Sequence, residues 1–313
     1  MINQMIVSEM ISQLGMDPAE VKLLGGYNSN VFEVGLKEPF IVKIMERSHH
    51  SERDTLSELE WLGYLHSQGV NVVQPLCTNG NGYIQPLDDE YYYVAFKKIN
   101  GVHISPDQHE AWGDTLFEKW GEVLGKVHST TKRYSAVHDR PHWDHNSLLL
   151  NVETLPLKPQ LIQKWKQYIK ELHALPISSD TFGLIHGDLH YGNLLTTGTE
   201  LTLIDFGDSE YHWFAYDIAI VIYHASLTVQ KSERDEFAQN FFSSFMSGYT
   251  RSNPNTSFIK DIAYFIDFRH LYSFTYHSLH LDKSALTEEQ LRYLHEMEES
   301  LLKDSPFLNT SFT

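Results

Sequence analysis

Residues 183–218 read GLIHGDLHYGNLLTTGTELTLIDFGDSEYHWFAYDI and carry the clearest chemical pattern of the chain. A polar turn runs from His186 to Asn193, and a short apolar run, which predicts a strand, then leads into the Asp-Phe-Gly that begins at Asp205. Asp188, Asn193 and Asp205 supply hard oxygen atoms, which are the ligands that Mg²⁺ prefers. In phosphoryl transfer, a carboxylate orients the attacking hydroxyl while metal ligands help to neutralise the phosphate charge. The stretch therefore predicts a phosphoryl-transfer site.

The turn resembles the catalytic loop of the protein-kinase-like superfamily, in the form used by the aminoglycoside phosphotransferase and choline kinase family. That family has the pattern His-Gly-Asp-(Leu/Phe)-(His/Cys)-x-x-Asn, which residues 186–193 match throughout. Carried over by position, the resemblance implies that Asp188 is the catalytic base, Asn193 one Mg²⁺ ligand and Asp205 the bridging Mg²⁺ ligand. Gly187 stands where eukaryotic protein kinases place Arg, and no Ala-Pro-Glu motif follows.

These residues also have simpler explanations. Asn, Asp and Gly are common in ordinary turns, but the full octet followed by a strand and Asp-Phe-Gly is hard to obtain by chance. His186 and His190 suggest zinc, yet the accompanying oxygen ligands favour magnesium, and we expect both histidines to be structural. His138, His142 and His145 have metal-like spacings, but they lie on a predicted loop without cysteine partners, which disfavours a metal site.

Composition limits the fold and the partners. The 313 residues are enough for two lobes with a sizeable core. Lys and Arg total 24 against 41 Asp and Glu, so the net charge of −17 disfavours a nucleic-acid partner and is compatible with a cationic small substrate. Cys77 is the single cysteine, so no disulfide can form within the chain. No segment resembles a leader or a membrane span, which predicts a cytoplasmic protein with no membrane partner. No pattern in the sequence sets an oligomeric state.

Residues 21–34 predict two short strands joined by a polar turn that contains glycine. Small residues in such a turn allow backbone N–H groups to approach phosphates. The turn lacks the glycine patterns of protein kinases and P-loop enzymes, so a plain hairpin turn is the alternative. It resembles a looser glycine-containing pattern of the family, which implies a nucleotide-covering loop with Ser29 nearest the phosphates.

Residues 40–45, Phe-Ile-Val-Lys-Ile-Met, predict a strand with one cation inside an apolar run. Lys43 is unfavourable there unless its ammonium group meets an anion, or unless this is an edge strand with Lys43 facing solvent. The resemblance implies an ATP-binding lysine, held by a carboxylate of the helix predicted at 51–68. The family pattern Glu-x-x-x-Leu-x-x-Leu aligns best on Glu58, with Glu60 as the second choice.

The resemblance implies a kinase-like two-lobe α+β fold. An N-terminal nucleotide-binding lobe with a small antiparallel sheet would span residues 1–96, followed by a hinge at 97–104. A mostly helical lobe for catalysis and acceptor binding would span 105–313. In this fold the strand before the hinge presents backbone groups to adenine, which here would lie from Ala95 to Lys97.

The C-terminal part is helical by pattern. A Ser-Pro-Asp-Gln capping signal predicts a helix over about 105–129. A second helix, 257–281, carries an aromatic stripe of the kind that usually forms core, although the family's C-terminal helices also wall the acceptor pocket. Asp208, Glu210 and Asp267 are candidates to pair with a cationic acceptor.

These patterns predict an ATP- and Mg²⁺-dependent phosphotransferase that moves the γ-phosphate to a hydroxyl of a small molecule. The family's acceptors include aminoglycosides, amino alcohols, homoserine and sugars, and the sequence does not separate them. A protein Ser/Thr kinase of the same family, of the stress-response type, is one alternative. A catalytically silent nucleotide-binding protein is another, but it would be expected to have lost Lys43, Asp188, Asn193 or Asp205, and all four are present.

Overall fold

The structure, a computed structural model, describes residues 2–26, 29–78, 80, 82–198 and 200–313. Tyr27 and Asn28, in the turn with the predicted phosphate-covering role, lie outside the described residues. The chain divides into two compact units, each assembled from separate stretches of sequence. The first comprises Met1–His103, Arg133–Arg140 and Asn193–Gly207, and the second comprises Ile104–Lys132, Pro141–Gly192 and Asp208–Thr313.

The strands are short and lie mostly in the first unit. In chain order they are β1 (Val21–Gly25), β2 (Val31–Val34), β3 (Phe40–Glu46), β4 (Pro75–Leu76), β5 (Gln85–Pro86), β6 (Tyr91–Lys97), β7 (Phe182–Ile185), β8 (Leu194–Thr196), β9 (Leu201–Leu203) and β10 (Glu210–Trp213).

Most of the helices belong to the second unit. In chain order they are α1 (Gln4–Leu14), α2 (Glu52–Ser67), α3 (Asp114–Thr131), α4 (Ser147–Leu150), α5 (Pro159–Ala174), α6 (Phe214–Ser226), α7 (Arg234–Ser252), α8 (Ile262–His280) and α9 (Glu288–Leu302).

The first unit is built on an antiparallel sheet in the order β1-β2-β3-β6-β4, with β5 also paired to β6. Successive residues of a strand face opposite sides of the sheet. Val42 and Ile44 of β3 accordingly enter the core, whereas Lys43 points to the other side. Lys43 pairs with Val31 of β2 and Val94 of β6, so it lies on an interior strand. The edge-strand alternative therefore does not apply.

The helix predicted at 51–68 is confirmed as α2, which begins after Ser51. The Ser51 hydroxyl accepts a hydrogen bond from the Asp54 N–H at 3.1 Å, which satisfies one of the unpaired donors of the first turn. The buried side chains of α2 include Glu58, Leu59 and Leu62. α2 therefore carries one of the two candidate carboxylates into the interior.

The helix predicted from residue 105 begins instead at Asp114, so its predicted start is wrong. Ser105 and Gln108 do form a capping turn, in which the Ser105 N–H donates to Gln108 Oε1 at 3.2 Å. A helix is stabilised mainly by burying an apolar face, and the residues that follow this turn are largely exposed. Burial starts at Leu116, after the extended residue Gly113, and α3 starts with it.

The second unit is built around α6, which is buried along almost its whole length and packs against α7 and α8. α8 falls within the predicted 257–281 helix, and its aromatic residues Phe265, Phe268 and Phe274 are buried, as the aromatic stripe predicts. β7 pairs with β10 in an antiparallel ribbon, with Ile185 opposite Glu210. The segment 186–192 leaves the end of this ribbon.

Within the described residues, none of the helices has both the length and the apolar character needed to span a membrane.

Candidate active site

In the first unit, the β8–β9 hairpin brings Asn193 and Asp205 to one end of the same ribbon. Leu194 pairs with Leu203, and the Ile204 N–H donates to the Asn193 carbonyl at 3.1 Å. Asp205 has a φ of 62°, a left-handed conformation that is uncommon for a residue other than glycine. Such a conformation costs about 1–3 kcal/mol and persists only where its surroundings impose it. The hairpin end is therefore a strained and fixed place to hold a carboxylate.

Lys43 reaches this carboxylate directly. Its Nζ donates to Asp205 Oδ1 at 2.9 Å, so the cation on the interior strand has the anion that its position requires. The Lys43 side chain is 25% exposed and that of Asp205 is 52% exposed. Both charges therefore remain open to solvent, and the pair adds little to stability.

Arg140 and Trp61 hold the segment that follows Asp205. Arg140 is buried, and its guanidinium donates to the Gly207 carbonyl at 2.7 Å and to the Asp54 carbonyl at 2.6 Å. The ring of Trp61 packs edge-to-face against Phe206, with 5.4 Å between ring centroids. Both contacts tie the Asp-Phe-Gly segment to α2. Sequence patterns do not identify Arg140, because an arginine on an irregular connection has no local signal.

The side chains of Asn193 and Asp205 fit a magnesium ion that arrives with a nucleotide. Mg²⁺ is commonly bound by one or two carboxylates together with substrate phosphates, rather than by a cage made only of protein groups. Among the described residues, no group of three or more His, Cys, Asp or Glu side chains could hold a metal ion. This finding gives no support to a site at His138, His142 and His145.

The two candidate carboxylates of α2 have different surroundings. Glu60 Oε1 lies 2.9 Å from His138 Nδ1, whereas Glu58 is 7% exposed. Glu60 is thus engaged by an imidazole, which favours Glu58 as the residue proposed to hold Lys43.

Hydrogen bonds of Asn30, just before β2, hold this part of the chain against β3 next to Lys43. The Asn30 side-chain amide donates to the Ile44 carbonyl at 2.8 Å, and the Ile44 N–H donates to the Asn30 carbonyl at 2.9 Å. Ser29 has a φ of 54° and donates its N–H to Gly26 at 3.1 Å. The turn that carries Ser29 is therefore tied to the strand that carries Lys43.

The predicted adenine-binding segment is the end of β6. Ala95 is buried and pairs with Val42 of β3 and Leu76 of β4. The Lys97 N–H donates to the Gln74 carbonyl at 2.8 Å. That N–H is therefore already used inside the first unit, which restricts how Lys97 can meet a base.

In the second unit, the predicted catalytic loop is anchored by Asp217, in the first turn of α6. Its fully buried carboxylate accepts from the N–H of His186 at 2.9 Å, from the N–H of Gly187 at 3.0 Å and from His128 Nε2 at 3.0 Å. Burial alone would raise the pKa of Asp217, but the hydrogen bond from His128 and the hydrogen bond from the His186 N–H lower it. Burial lowers the pKa of His128. The pair is thus a carboxylate beside a neutral imidazole.

Gly187 fits where a larger residue would not. Its φ is 83°, and a Cβ at this position would lie 2.2 Å from the Asp208 carbonyl oxygen. The loop therefore requires glycine at the position where eukaryotic protein kinases have arginine.

Asp188 is contacted by Arg269 of α8, whose Nη2 donates to Asp188 Oδ1 at 2.6 Å. The nearest imidazole nitrogens are those of His190, 3.6 Å from Oδ2, and His224, 4.0 Å from Oδ1. Burial alone would raise the pKa of Asp188, but the charge and hydrogen bond of Arg269, with further contributions from the imidazoles of His224 and His190, lower it. The side chain is 29% exposed, so an ionised carboxylate is open to solvent. Such a group can accept a proton from a hydroxyl.

The hydrogen bonds of His190 and His224 set their tautomers. His190 Nδ1 accepts from the Gly192 N–H at 3.0 Å, so the proton of the neutral ring lies on Nε2, the nitrogen nearest Asp188. Arg269 can only donate, so His224 Nε2, at 3.0 Å, is an acceptor and the proton lies on Nδ1. Burial and the charge of Arg269 hold the pKa of His224 well below its usual value.

The carboxylates predicted to meet a cationic acceptor fall into two groups. Asp267 Oδ1 accepts from the Phe307 N–H at 2.7 Å, and two residues of an α-helix correspond to about 200° of rotation, so Asp267 faces away from Arg269. Asp208 and Glu210 instead act electrostatically on Tyr272, on the same turn of α8 as Arg269. Only Asp208 and Glu210 therefore stay candidates near the loop.

Comparisons with known proteins find similar sequences and structures. A sequence model of the phosphotransferase enzyme family matches residues 20–253. The amicoumacin kinase of Bacillus subtilis (strain 168) is 26% identical, with an alignment that covers 99% of this chain and 95% of the relative. An amicoumacin kinase solved in complex with AMP-PNP, Ca²⁺ and Ami superimposes with a TM-score of 0.88 at 24% identity and covers 99% of both chains. A choline kinase from Streptococcus pneumoniae gives a TM-score of 0.66 at 15% identity, covering 96% of this chain and 100% of the other.

The solved structures confirm the predicted fold class, the two-lobe α+β fold of protein-kinase-like phosphotransferases. The family match, which spans well over half of the chain, confirms the predicted enzyme class, a phosphotransferase. The chain belongs to the phosphotransferase enzyme family.

Proposed function

We propose that this protein transfers the γ-phosphate of ATP, in the presence of Mg²⁺, to a hydroxyl group of a small molecule. The observation that carries the proposal is the setting of Asp188, a partly exposed carboxylate that accepts a hydrogen bond from Arg269 and lies on a loop held by Asp217. A general base must be ionised and held in one geometry, and Asp188 meets both conditions.

The nucleotide is assigned to residues of the first unit. Lys43 would contact the α- and β-phosphates with Glu58 behind it, and Ser29 would lie nearest the phosphates. Asn193 and Asp205 would hold Mg²⁺, which neutralises phosphate charge when bound. The direct contact between Lys43 and Asp205 supports this assignment, because a phosphate and a metal ion can take up these opposite charges.

The remaining assignments of the nucleotide follow from the family resemblance. Backbone groups from Ala95 to Lys97 would meet adenine. Residues 1–96 would form the nucleotide-binding lobe, 97–104 the hinge and 105–313 the lobe for catalysis and acceptor binding.

In the reaction, the acceptor O–H bond breaks and its proton passes to the Asp188 carboxylate. The acceptor oxygen forms a bond to the γ-phosphorus as the bond from that phosphorus to the β–γ bridging oxygen breaks, which releases ADP. Asp188 orients the hydroxyl and removes its proton. Positioning and charge stabilisation account for most of the catalysis in this type of transfer.

We infer that the acceptor is an amicoumacin-like molecule that carries an amine and a hydroxyl. The relative from Bacillus subtilis is named an amicoumacin kinase and aligns with 99% of this chain. Asp208 and Glu210 could pair with a cationic amine, which would otherwise be unfavourable to bury.

The test is an ATP-consumption screen with amicoumacin, choline, aminopropanol, aminoglycosides, sugars and a protein acceptor. We expect Mg²⁺-dependent ADP release with amicoumacin and none without acceptor. Transfer to protein alone would favour the Ser/Thr kinase alternative. ATP binding without turnover on any acceptor would favour the silent nucleotide-binding protein.

A further inference from the structure

Arg269 contacts the catalytic loop at two points. Its Nη2 donates to Asp188 Oδ1 at 2.6 Å, and its Nη1 approaches the Gly187 carbonyl at 3.4 Å. The residue is 8% exposed, and its guanidinium carbon lies 5.5 Å from the centre of the Tyr272 ring. A single guanidinium on α8 thus holds both the carboxylate and the backbone next to it.

We propose that Arg269 is a positioning residue for phosphoryl transfer, which fixes the orientation of the Asp188 carboxylate and keeps it ionised for the acceptor hydroxyl. This inference rests on the proposed function of Asp188 as the base. Arg269 acts through Asp188 and takes no part itself in breaking or forming bonds.

The hydrogen-bonding capacity of the two groups agrees with this role. A carboxylate offers about four acceptor positions, so a bond from Arg269 to Oδ1 leaves capacity for a hydroxyl. A guanidinium is planar and rigid, so its bond also limits rotation of the carboxylate. The acceptor therefore meets a base whose orientation is already set.

The titratable groups around Asp188 come from three elements. Arg269 faces it from α8, His224 from α6 and His190 from the loop itself. His224 accepts from Arg269 and is neutral, and an arginine is always protonated. Farther out, Asp208 and Glu210 act on the neighbouring Tyr272. Arg269 is therefore the permanent positive charge that opposes the effect of burial on Asp188.

A purely stabilising role explains the arrangement less well. Taking a guanidinium out of water costs several kcal/mol, and an ion pair that is largely buried is often no more stable than an apolar replacement. The arginine is better explained by what it does to Asp188.

The test measures kcat/KM against pH with ATP and the acceptor found in the screen. In Arg269→Gln the acid limb of the kcat/KM profile should shift to higher pH by about 1–3 units. This is the usual effect of removing an opposite charge next to a carboxyl group. Turnover lost near the wild-type limb should then recover partly as the pH rises. In Arg269→Lys the acid limb should stay within about one pH unit of the wild-type position, because lysine keeps the positive charge. The value of kcat should fall, because lysine lacks the planar guanidinium that orients the carboxylate.

Arg251→Gln is the matched control. It removes the same charge from an arginine of the second unit that is ion-paired with Glu118 on the protein surface. We expect the wild-type pH profile from this variant. If Arg269→Gln instead lost kcat/KM equally at every pH, with the acid limb at its wild-type position, the proposal would be wrong and Arg269 would have only a structural role.

A double-mutant cycle separates this inference from the proposed function. Melting temperatures of Arg269→Gln, Asp188→Asn and the double variant need no acceptor. The melting temperature of the double variant should fall by less than the sum of the decreases in the two single variants, because each single change leaves one partner unpaired. Additive losses would overturn the inference, whereas failure of the wild type to phosphorylate any acceptor would overturn the proposed function and leave the cycle valid.

Discussion

Replacing Asp217 by Asn should weaken the catalytic loop without touching Asp188. Asp217 Oδ2 accepts from the His186 N–H and His128 Nε2, and Oδ1 accepts from the Gly187 N–H. An Asn amide can replace only one of these oxygens as an acceptor. Turned to keep the two bonds of Oδ2, it places its NH₂ against the Gly187 N–H and leaves that buried donor unpaired.

An unpaired buried donor costs about 1–3 kcal/mol, and each remaining bond loses about 1 kcal/mol when the charge is removed. The variant should therefore be about 3–5 kcal/mol less stable, which for a chain of this length corresponds to a melting temperature roughly 5–8 °C lower. Turnover should fall about 10²-fold, because small displacements of a catalytic group have effects of that size. Thermal melting and steady-state kinetics measure the two effects.

The pH dependence adds a second check. The pKa of Asp217 is lower in the folded protein than in the unfolded chain. Its contribution to the free energy of unfolding is therefore fully present above the unfolded-state pKa of about 4, and it is lost as the pH falls through the folded-state pKa. The difference in melting temperature between wild type and Asp217→Asn should therefore narrow in acid. Asp180→Asn is the control, because Asp180 is 60% exposed in its pair with Lys132 and its loss should cost below about 1 kcal/mol. A melting temperature for Asp217→Asn within the range of this control would refute the reasoning.

Four further changes test the nucleotide residues and the loop. Lys43→Ala should weaken MgATP binding measured by calorimetry and leave the melting temperature nearly unchanged, because its ion pair is partly exposed; wild-type affinity would contradict the assignment. Glu58→Gln should have the same effect more mildly, and a larger effect of Glu60→Gln would exchange the two roles. Gly187→Ala should abolish turnover through its clash with the neighbouring backbone, and near-normal kinetics would show that the loop can move aside. Asp205→Asn should reduce both turnover and MgATP affinity, with partial recovery in excess Mg²⁺; unchanged MgATP affinity would remove it from the metal site.

The sequence predicted those parts of the molecule that local patterns encode. The strand around Lys43, the helix α2 and the turn after β7 each have a clear periodic or motif signal, and the structure has them where the patterns lie. The predicted helix start at residue 105 is wrong because a capping turn alone does not bury an apolar face. Whether a helix continues depends on tertiary contacts that begin at Leu116.

Local sequence patterns do not predict contacts between residues that lie far apart in the sequence. Arg269 lies 81 residues from Asp188 in the sequence, and its place on an aromatic helix suggested core or acceptor contacts rather than a contact with the base. Asp267, two residues earlier, was grouped with the acceptor carboxylates, although helical geometry alone turns it to another face. The periodicity of α8 could have separated these two residues, but it could not have named the loop that Arg269 meets.

The central claim is that Asp188 removes the proton of an acceptor hydroxyl while MgATP is bound by other residues. The most direct measurement compares wild type and Asp188→Asn for two quantities, the rate of formation of the phosphorylated acceptor, followed by mass spectrometry, and the affinity for MgATP. We predict a rate about 10²- to 10⁴-fold lower in the variant, with nearly unchanged MgATP affinity. An Asp188→Asn protein that phosphorylates the acceptor at a near-normal rate would contradict the account.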